Sequence, residues 1–379
     1  MKSEFYEIAS QINHPGLQAW KTEGKPVVAY SCSYVPAEIF HAAGILPMRL
    51  RGIETDGMEI GDAYFGPYIC SFPKCILQLA GHGKYSLLDG VVITPGCDSM
   101  RRLYDCWQKA GEDHQGIVPN FFHYLDVPHK TVHHRIDWFV DRVTDLKSAL
   151  EQQFSVQIGG EALHQSITVY NTGRKLLQEL ETLRQQEAVP LTGSEAFAVV
   201  VASTVMPRDD FNKALSHYLK TLKHNPTIEH QGKKRLMVVG SISDDMDLVS
   251  LIESTNRAVV VADNLCFGVR HDKSDIPLNG DPVRALAESY LGESTCPRMF
   301  GQYKKRLEIL KEKIAAHRVE GVILQNIRFC DLHGSENGLF ERDLEQMGVA
   351  CLKLEREYGP LTETGRMKMR IDAFLERLA

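Results

Sequence analysis

The sequence predicts an α/β protein built from two Rossmann-like (flavodoxin-like) parallel-sheet domains that face a cleft, with a helical insertion between them. Three observations carry this. In LLDGVVITPGCDSMR (87–101) a short apolar run at 91–94 is stopped by Pro-Gly, and Cys97 lies just past the strand's carboxyl end. Asp98 and Ser99 then follow as helix-capping residue types. Far downstream, EGVILQNIRFCDLHG (320–334) repeats that design, with a strand at 322–325, then Cys330 and Asp331. Between the two, segment 131–231 changes to long charged stretches of helical period. Ligands of open α/β sheets bind outside the carboxyl ends of strands. Two cysteines delivered to such places point to a cofactor held between similar domains.

The elements follow in order. Residues 3–22 read as one amphipathic helix leading in, and 26–31 (PVVAYS) as the first strand, with Cys32 at its end. Pro36 suits the first turn of the next helix and Glu38 favours that helix's positive end. Gly44 stops it, and 46–50 is a second strand. Residues 51–69 read as a loop carrying acids and glycines. Cys70 and Cys75 come next in YICSFPKC, with a helix starting near Pro73. The strand at 90–94, Cys97, a helix through Trp107 and a strand at 118–124 complete an N-terminal domain, 1–130.

Helices are expected at 138–153, 161–186, 194–205 and 209–223 of the inserted subdomain (131–231), with Thr192 and Gly193 as punctuation. The ordinary reading of such segments is a solvated face packed on a core. The C-terminal domain, 232–379, begins with a strand at 236–240 and then SISDDMD. Asp244, Asp245 and Asp247 read as caps of the next helix in preference to metal ligands. A strand at 258–263 leads to Cys266, and a loop holds Cys296 in STCPRMF. A helix at 301–318, the strand before Cys330, a further helix, a strand at 351–354 and the closing RMKMRIDAFLERL finish the chain. The two halves repeat an architecture, not a sequence.

Composition removes several function classes. The chain has 379 residues, 24% of them charged and 43% hydrophobic, as in ordinary globular proteins. A net charge of -6 leaves no basic footprint for nucleic acid. No apolar run reaches the roughly 18 residues of a membrane span. The opening MKSEFYEIASQINHPG is polar and acidic, unlike a signal or transit segment, so the cytoplasm is expected. Thiols stay reduced there, and nine cysteines read as core residues, metal ligands or catalytic thiols.

No G-x-G-x-x-G follows a strand, and Walker A, H-E-x-x-H and G-x-S-x-G motifs are missing. The chain is therefore not expected to bind ATP itself. The histidines of HKTVHH (129–134) read as surface polar sequence. Cysteine remains. Cys32, Cys97 and Cys330 follow strands, and Cys70 lies near a helix start, where a thiol is more readily deprotonated. Iron–sulfur clusters are held by such thiolates. On spacing alone a cluster, buried structural thiols and a catalytic thiol all stay open.

The segments CSYVPAEIFHAAGILPMRL, YICSFPKC, DGVVITPGCDSMRRLYD, ADNLCFG, FCDLHGSEN and GRMKMRIDAFLERL occur in this order. In that order the chain resembles the 2-hydroxyacyl-CoA dehydratase and benzoyl-CoA reductase family, specifically its smaller iron–sulfur subunit of D-component type. The resemblance covers essentially the whole chain. It implies a dimer of two related subunits, a [4Fe–4S] cluster between the Rossmann-like domains, and a separate ATP-dependent iron–sulfur activator protein. That activator injects one electron at low potential, and a CoA thioester receives it as a ketyl-type radical anion. Dehydratases of the family then expel water, whereas reductases dearomatise a ring; the enzymes are oxygen-sensitive and belong to anaerobes.

Carried over residue by residue, the cluster cysteines fall on Cys70, Cys97 and Cys330. The family's first strand-end motif falls on Cys32 and Ser33, which with Glu38 are the candidate catalytic residues. Three thiolates leave one iron open for water or a substrate carbonyl; Cys32 is expected near or on that iron as a fourth metal ligand, in which case this subunit relays electrons while its partner binds substrate. Ser33, Asp98, Ser99 and Asp331 are expected as neighbours that tune the cluster. Cys266 and Cys296 match cysteine positions of some members, including double-cubane ones. GHGKYSLLDG lacks the further cysteine of those members. Cys75, Cys106 and Cys351 are expected in the core. TVYNTGRKLLQELETLRQ and PLTGSEAFAVV resemble the benzoyl-CoA reductase branch, with a dehydratase as the alternative. Arg49, Arg51, Arg101 and Arg102 are the candidate cleft arginines.

Overall fold

A computed structural model describes residues 3–224, 232–267 and 274–378. Gly268 of the ADNLCFG motif and the 231/232 domain boundary lie at or beyond the edges of these residues. Two parallel four-stranded sheets form the frame. The first holds β1 (Val27–Tyr30), β2 (Leu46–Arg49), β3 (Gly90–Ile93) and β4 (Phe121–Tyr124) in the order β2-β1-β3-β4. The second holds β5 (Lys234–Gly240), β6 (Ala258–Asn264), β7 (Gly321–Ile327) and β8 (Ala350–Arg356) in the order β6-β5-β7-β8. Relative to chain direction these are the same order. The expected repeat of architecture is present: an α/β fold of two domains. Strands β1, β2, β3 and β6 are buried along their whole length, because helices cover both faces of a parallel sheet. In each sheet the order reverses between the first and third strands, which opens a crevice at their carboxyl ends.

The leading segment is two helices, α1 (Glu4–Ala9) and α2 (Pro15–Thr22), not the single one expected. Pro15 supplies no N–H, which a helix tolerates at its first turn but not in its interior. His14 caps α2: its Nδ1 accepts from Leu17 N–H at 3.3 Å, and its Nε2 faces the Val205 carbonyl at 3.2 Å. Helix α3 is Ala37–Ala42. The acid-rich stretch read as loop contains α4 (Glu59–Tyr64), packed on α5 (Ser71–Gly81). Helix α6 (Asp98–Asp113) follows β3.

The next four helices are α7 (His133–Phe154), α8 (Gly160–Arg184), α9 (Gly193–Ala202) and α10 (Arg208–His224). They spread over both sheets. Helix α9 departs from a solvated face: GSEAFAVVVA is apolar nearly all round, and it is buried nearly all round. Its start presses on β6, where a Cβ on Gly193 stands 2.4 Å from the Val260 carbonyl oxygen. In the C-terminal half are α11 (Asp247–Glu253), α12 (Pro282–Gly292), α13 (Tyr303–Ala316), α14 (Asp331–Glu345) and α15 (Thr364–Arg377). Helix α12 was not expected. Asp281 caps it, and it packs across onto α7, with Leu286 and Leu291 in one core with Phe139 and Val143.

The halves are joined by a dry clamp. Arg51 Nε donates to Asp244 Oδ2 at 2.9 Å, and both side chains are fully buried. Tyr358 donates to the other Asp244 oxygen at 2.6 Å and accepts from Gly52 N–H at 2.7 Å. Asp244 is thus not a cap of α11. The cap position is Met246 and Asp247 is the first helical residue, while Asp245 accepts from Asp247 N–H at 3.2 Å, as a capping acid does, and also pairs with Arg356 at 3.0 Å.

Candidate functional site

Cys70, Cys97 and Cys330 share one local design. Each occupies the N-cap position of a helix: α5, α6 and α14 respectively. Asp98 and Asp331, expected as caps, are instead the first helical residues, where their charge faces the positive end of the dipole. A strand or loop therefore hands each sulfur to a helix terminus. Burial pushes all three thiols up, Cys330 to about 12 and Cys97 well above the usual thiol range. The amides of Phe72, Met100 and His333 pull the other way, as does the Ser99 hydroxyl at Cys70.

The sulfurs also act on one another. Cys97 feels Cys70, Cys330 and Cys32, and Cys330 feels Cys70, Cys266 and Cys296. Residues more than 200 apart in sequence thus converge where the two crevices meet. Cys32 lies past β1, with its Sγ 2.9 Å from the point a Cβ on Gly96 occupies. Burial raises the Cys32 thiol to about 11 against the opposing pull of Arg49. Among the described residues, no three His, Cys, Asp or Glu side chains gather compactly enough for a single metal ion.

Ser33 accepts from Arg49 Nη1 at 3.3 Å. Glu38 is fully buried, ion-paired to Arg174, and accepts from Tyr290 Oη at 2.8 Å. Burial alone raises its pKa, but Arg174 outweighs it and holds the carboxyl below its usual value. Glu38 is thus a fixed anion. Arg174 and Tyr290 also line a small pocket of about 60 Å³, together with Ser33, Tyr30, Tyr170 and Arg208.

The candidate cleft arginines part company. Arg51 is consumed by the clamp, while Arg101 and Arg102 are exposed. Arg49 alone reaches the cysteines, 3.9 Å from Cys266 Sγ. Sequence reasoning missed Arg174 and Arg208, which arrive from the helical segment, and Arg298. Arg298 donates to the carbonyls of Pro95, Val127 and Pro128, so the segment bearing Cys296 is tied over the turn before Cys97. No spacing in the sequence marks such long-range partners. At the site's edge Tyr68 and Phe329, one from each half, meet edge to face at 5.7 Å. Cys75, Cys106 and Cys351 make core contacts, with Met58, the Tyr64 carbonyl and the Val349 carbonyl.

Two similar open α/β domains with cysteines beyond the carboxyl ends of their strands define the class, in which those strand ends are where a ligand binds. The family model described as 2-hydroxyglutaryl-CoA dehydratase, D-component, matches residues 32–378, and the chain belongs to that family. The chain is 29% identical over 338 residues to one of the benzoyl-CoA reductase subunits of Thauera aromatica, covering 86% of this chain and 84% of that one. It is 23% identical to the (R)-phenyllactyl-CoA dehydratase beta subunit of Clostridium sporogenes, covering 99% and 98%. The same identity relates it to the beta subunit of (R)-2-hydroxyglutaryl-CoA dehydratase from Acidaminococcus fermentans, over 96% and 95%. The chain is a subunit type of multi-subunit CoA-thioester enzymes. No described helix is long and apolar enough to cross a membrane.

Proposed function

We propose that this chain is the [4Fe–4S]-bearing subunit of an ATP-activator-driven acyl-CoA enzyme, of the benzoyl-CoA reductase branch. The observation that carries the reading is the common design of Cys70, Cys97 and Cys330, three mutually interacting thiols at three helix N-termini. The donor set fits the group: a cubane takes one thiolate at each iron, so its ligands stand at separate corners rather than around one ion. Burial raises these thiols, and the positive helix ends and backbone amides offset part of that rise; a metal ion supplies the remaining stabilisation of the thiolates. Cys32 is the candidate for the fourth iron. When bound, the cluster supplies one-electron transfer at low potential.

This chain's residues then have separate tasks. Arg298 and the Cys296 segment cover the site from water. Glu38 stays ionised and anchors Arg174 and Tyr290 in the wall of the small pocket. Ser33 lines that small pocket and accepts from Arg49, so its hydroxyl is a polar group held beside the cysteines. The reductase branch rests on the 29% identity to a benzoyl-CoA reductase subunit. A 2-hydroxyacyl-CoA dehydratase is the second reading, favoured by the nearly full-length matches to beta subunits. Closure of the cluster by Cys32 gives the third, an electron relay without substrate. The partners are a related second subunit, an iron–sulfur activator and an acyl-CoA, in the cytoplasm of an anaerobe.

The test is an anaerobic assay of the chain with its partner subunit and activator. Benzoyl-CoA consumption with ring reduction supports the first reading; loss of water from a 2-hydroxyacyl-CoA, with benzoyl-CoA untouched, replaces it by the second.

A further inference from the structure

Seven arginines are buried among the described residues. Five of them pair with a carboxylate: Arg51 with Asp244, Arg174 with Glu38, Arg184 with Glu181 and Asp263, Arg306 with Glu336, and Arg356 with Asp245. Arg298 is spent on three backbone carbonyls. Arg49 is the exception. It is 1% exposed, forms no ion pair with a described carboxylate, and its Nε has no hydrogen-bond partner among the described residues. Its two other nitrogens reach the Ser33 hydroxyl and the Cys266 sulfur. The rings of Phe267 and Tyr30, 4.5 and 5.7 Å from its centre, fix its plane.

An uncompensated buried charge is costly, and structures retain one where an anion meets it. Among the described residues, the ionisable groups that Arg49 meets are the Cys266 sulfur directly, and Cys32 and the Tyr30 phenol, on which its field acts. A cluster on Cys70, Cys97 and Cys330, with Cys32 at its fourth iron, is an anionic body beside these sulfurs, and one-electron reduction adds a further negative charge. A fixed cation beside it favours the reduced form and raises the potential. We propose that Arg49 is a positioning residue that sets the reduction potential of the cluster by holding an uncompensated positive charge against it. The inference rests on the cluster reading above. Arg49 lies at the end of β2, so the sheet, not a mobile loop, fixes its distance.

The experiment compares anaerobically purified wild type with Arg49→Met, Arg49→Gln and Arg49→Lys. Iron is counted, and the cluster is titrated by EPR against redox mediators with titanium(III) citrate as the electron donor. The neutral variants are expected to keep their iron and to shift to a more negative midpoint potential. Arg49→Lys, which keeps the charge, stays near wild type. A wild-type midpoint in either neutral variant overturns the proposal, and so does a Lys shift as large as the Met shift. Loss of iron from all three variants also overturns it, by making Arg49 a scaffold of the site. Iron-free wild type is a different outcome, which sinks the cluster reading itself.

Discussion

Asp244→Ala removes the centre of the clamp between the halves. Asp244 accepts from Arg51 Nε at 2.9 Å and from Tyr358 Oη at 2.6 Å, and neither charged side chain has exposed surface. The variant leaves the Arg51 guanidinium in the same dry place, held only by the carbonyls of Ala9, Gln11 and residue 244. Breaking one side of a buried pair costs about 3–5 kcal/mol, mostly the uncompensated charge. Replacing both partners avoids that cost, so Arg51→Met with Asp244→Leu is expected to be more stable than Asp244→Ala. Urea unfolding followed by circular dichroism measures both. An Asp244→Ala protein within about 1 kcal/mol of wild type refutes the reasoning. So does a double variant as unstable as the sum of its single substitutions.

Three further outcomes are expected. Burial lowers the His14 pKa from 6.5 to about 4, so below pH 6.5 the unfolded chain binds a proton that the folded chain refuses. Stability therefore falls as pH drops from 6.5 to 4, by up to about 3 kcal/mol, and His14→Gln flattens the profile of urea midpoints across that window. Gly96→Ala places a methyl 2.9 Å from Cys32 Sγ, and the sulfur must move. An altered EPR signal with unchanged far-UV circular dichroism is the expected result, and an unchanged signal shows that Cys32 is not near an iron. Cys32→Ser is expected to change the cluster spectrum and activity; identical spectra and turnover remove Cys32 from the fourth iron.

Much of the fold is legible in the chain. The apolar run before Cys97 and its counterpart before Cys330 locate both third strands, because a strand buried on both faces reads as a continuous apolar stretch. The pairing of architecture follows from counting such elements. The break at Pro15 is written in the sequence, yet helical periodicity runs across it and hides it. Helix α4 hides among acids and glycines because its stability comes from Lys74 and Gln78 of α5: Lys74 pairs with Asp62, and Gln78 accepts from Ile60 N–H. Local pattern carries no trace of such partners.

The site divides in the same way. Cys97 and Cys330 are recognisable by their place after strands and before helices, and Cys70 by its place at a helix start. Asp244 misleads because an acid before a helix is a cap by local rules, and only the fold shows Arg51 waiting across the interface. The roles of Arg49, Arg174, Arg208 and Arg298 depend on residues far away in the chain, as with Arg174 on Glu38.

Iron and acid-labile sulfide content, with EPR, on protein purified without oxygen tests the central claim most directly. About four irons and four sulfides per chain are expected, lost on replacing Cys70, Cys97 or Cys330 by Ser. A folded chain free of iron contradicts the account and leaves only its two-domain architecture.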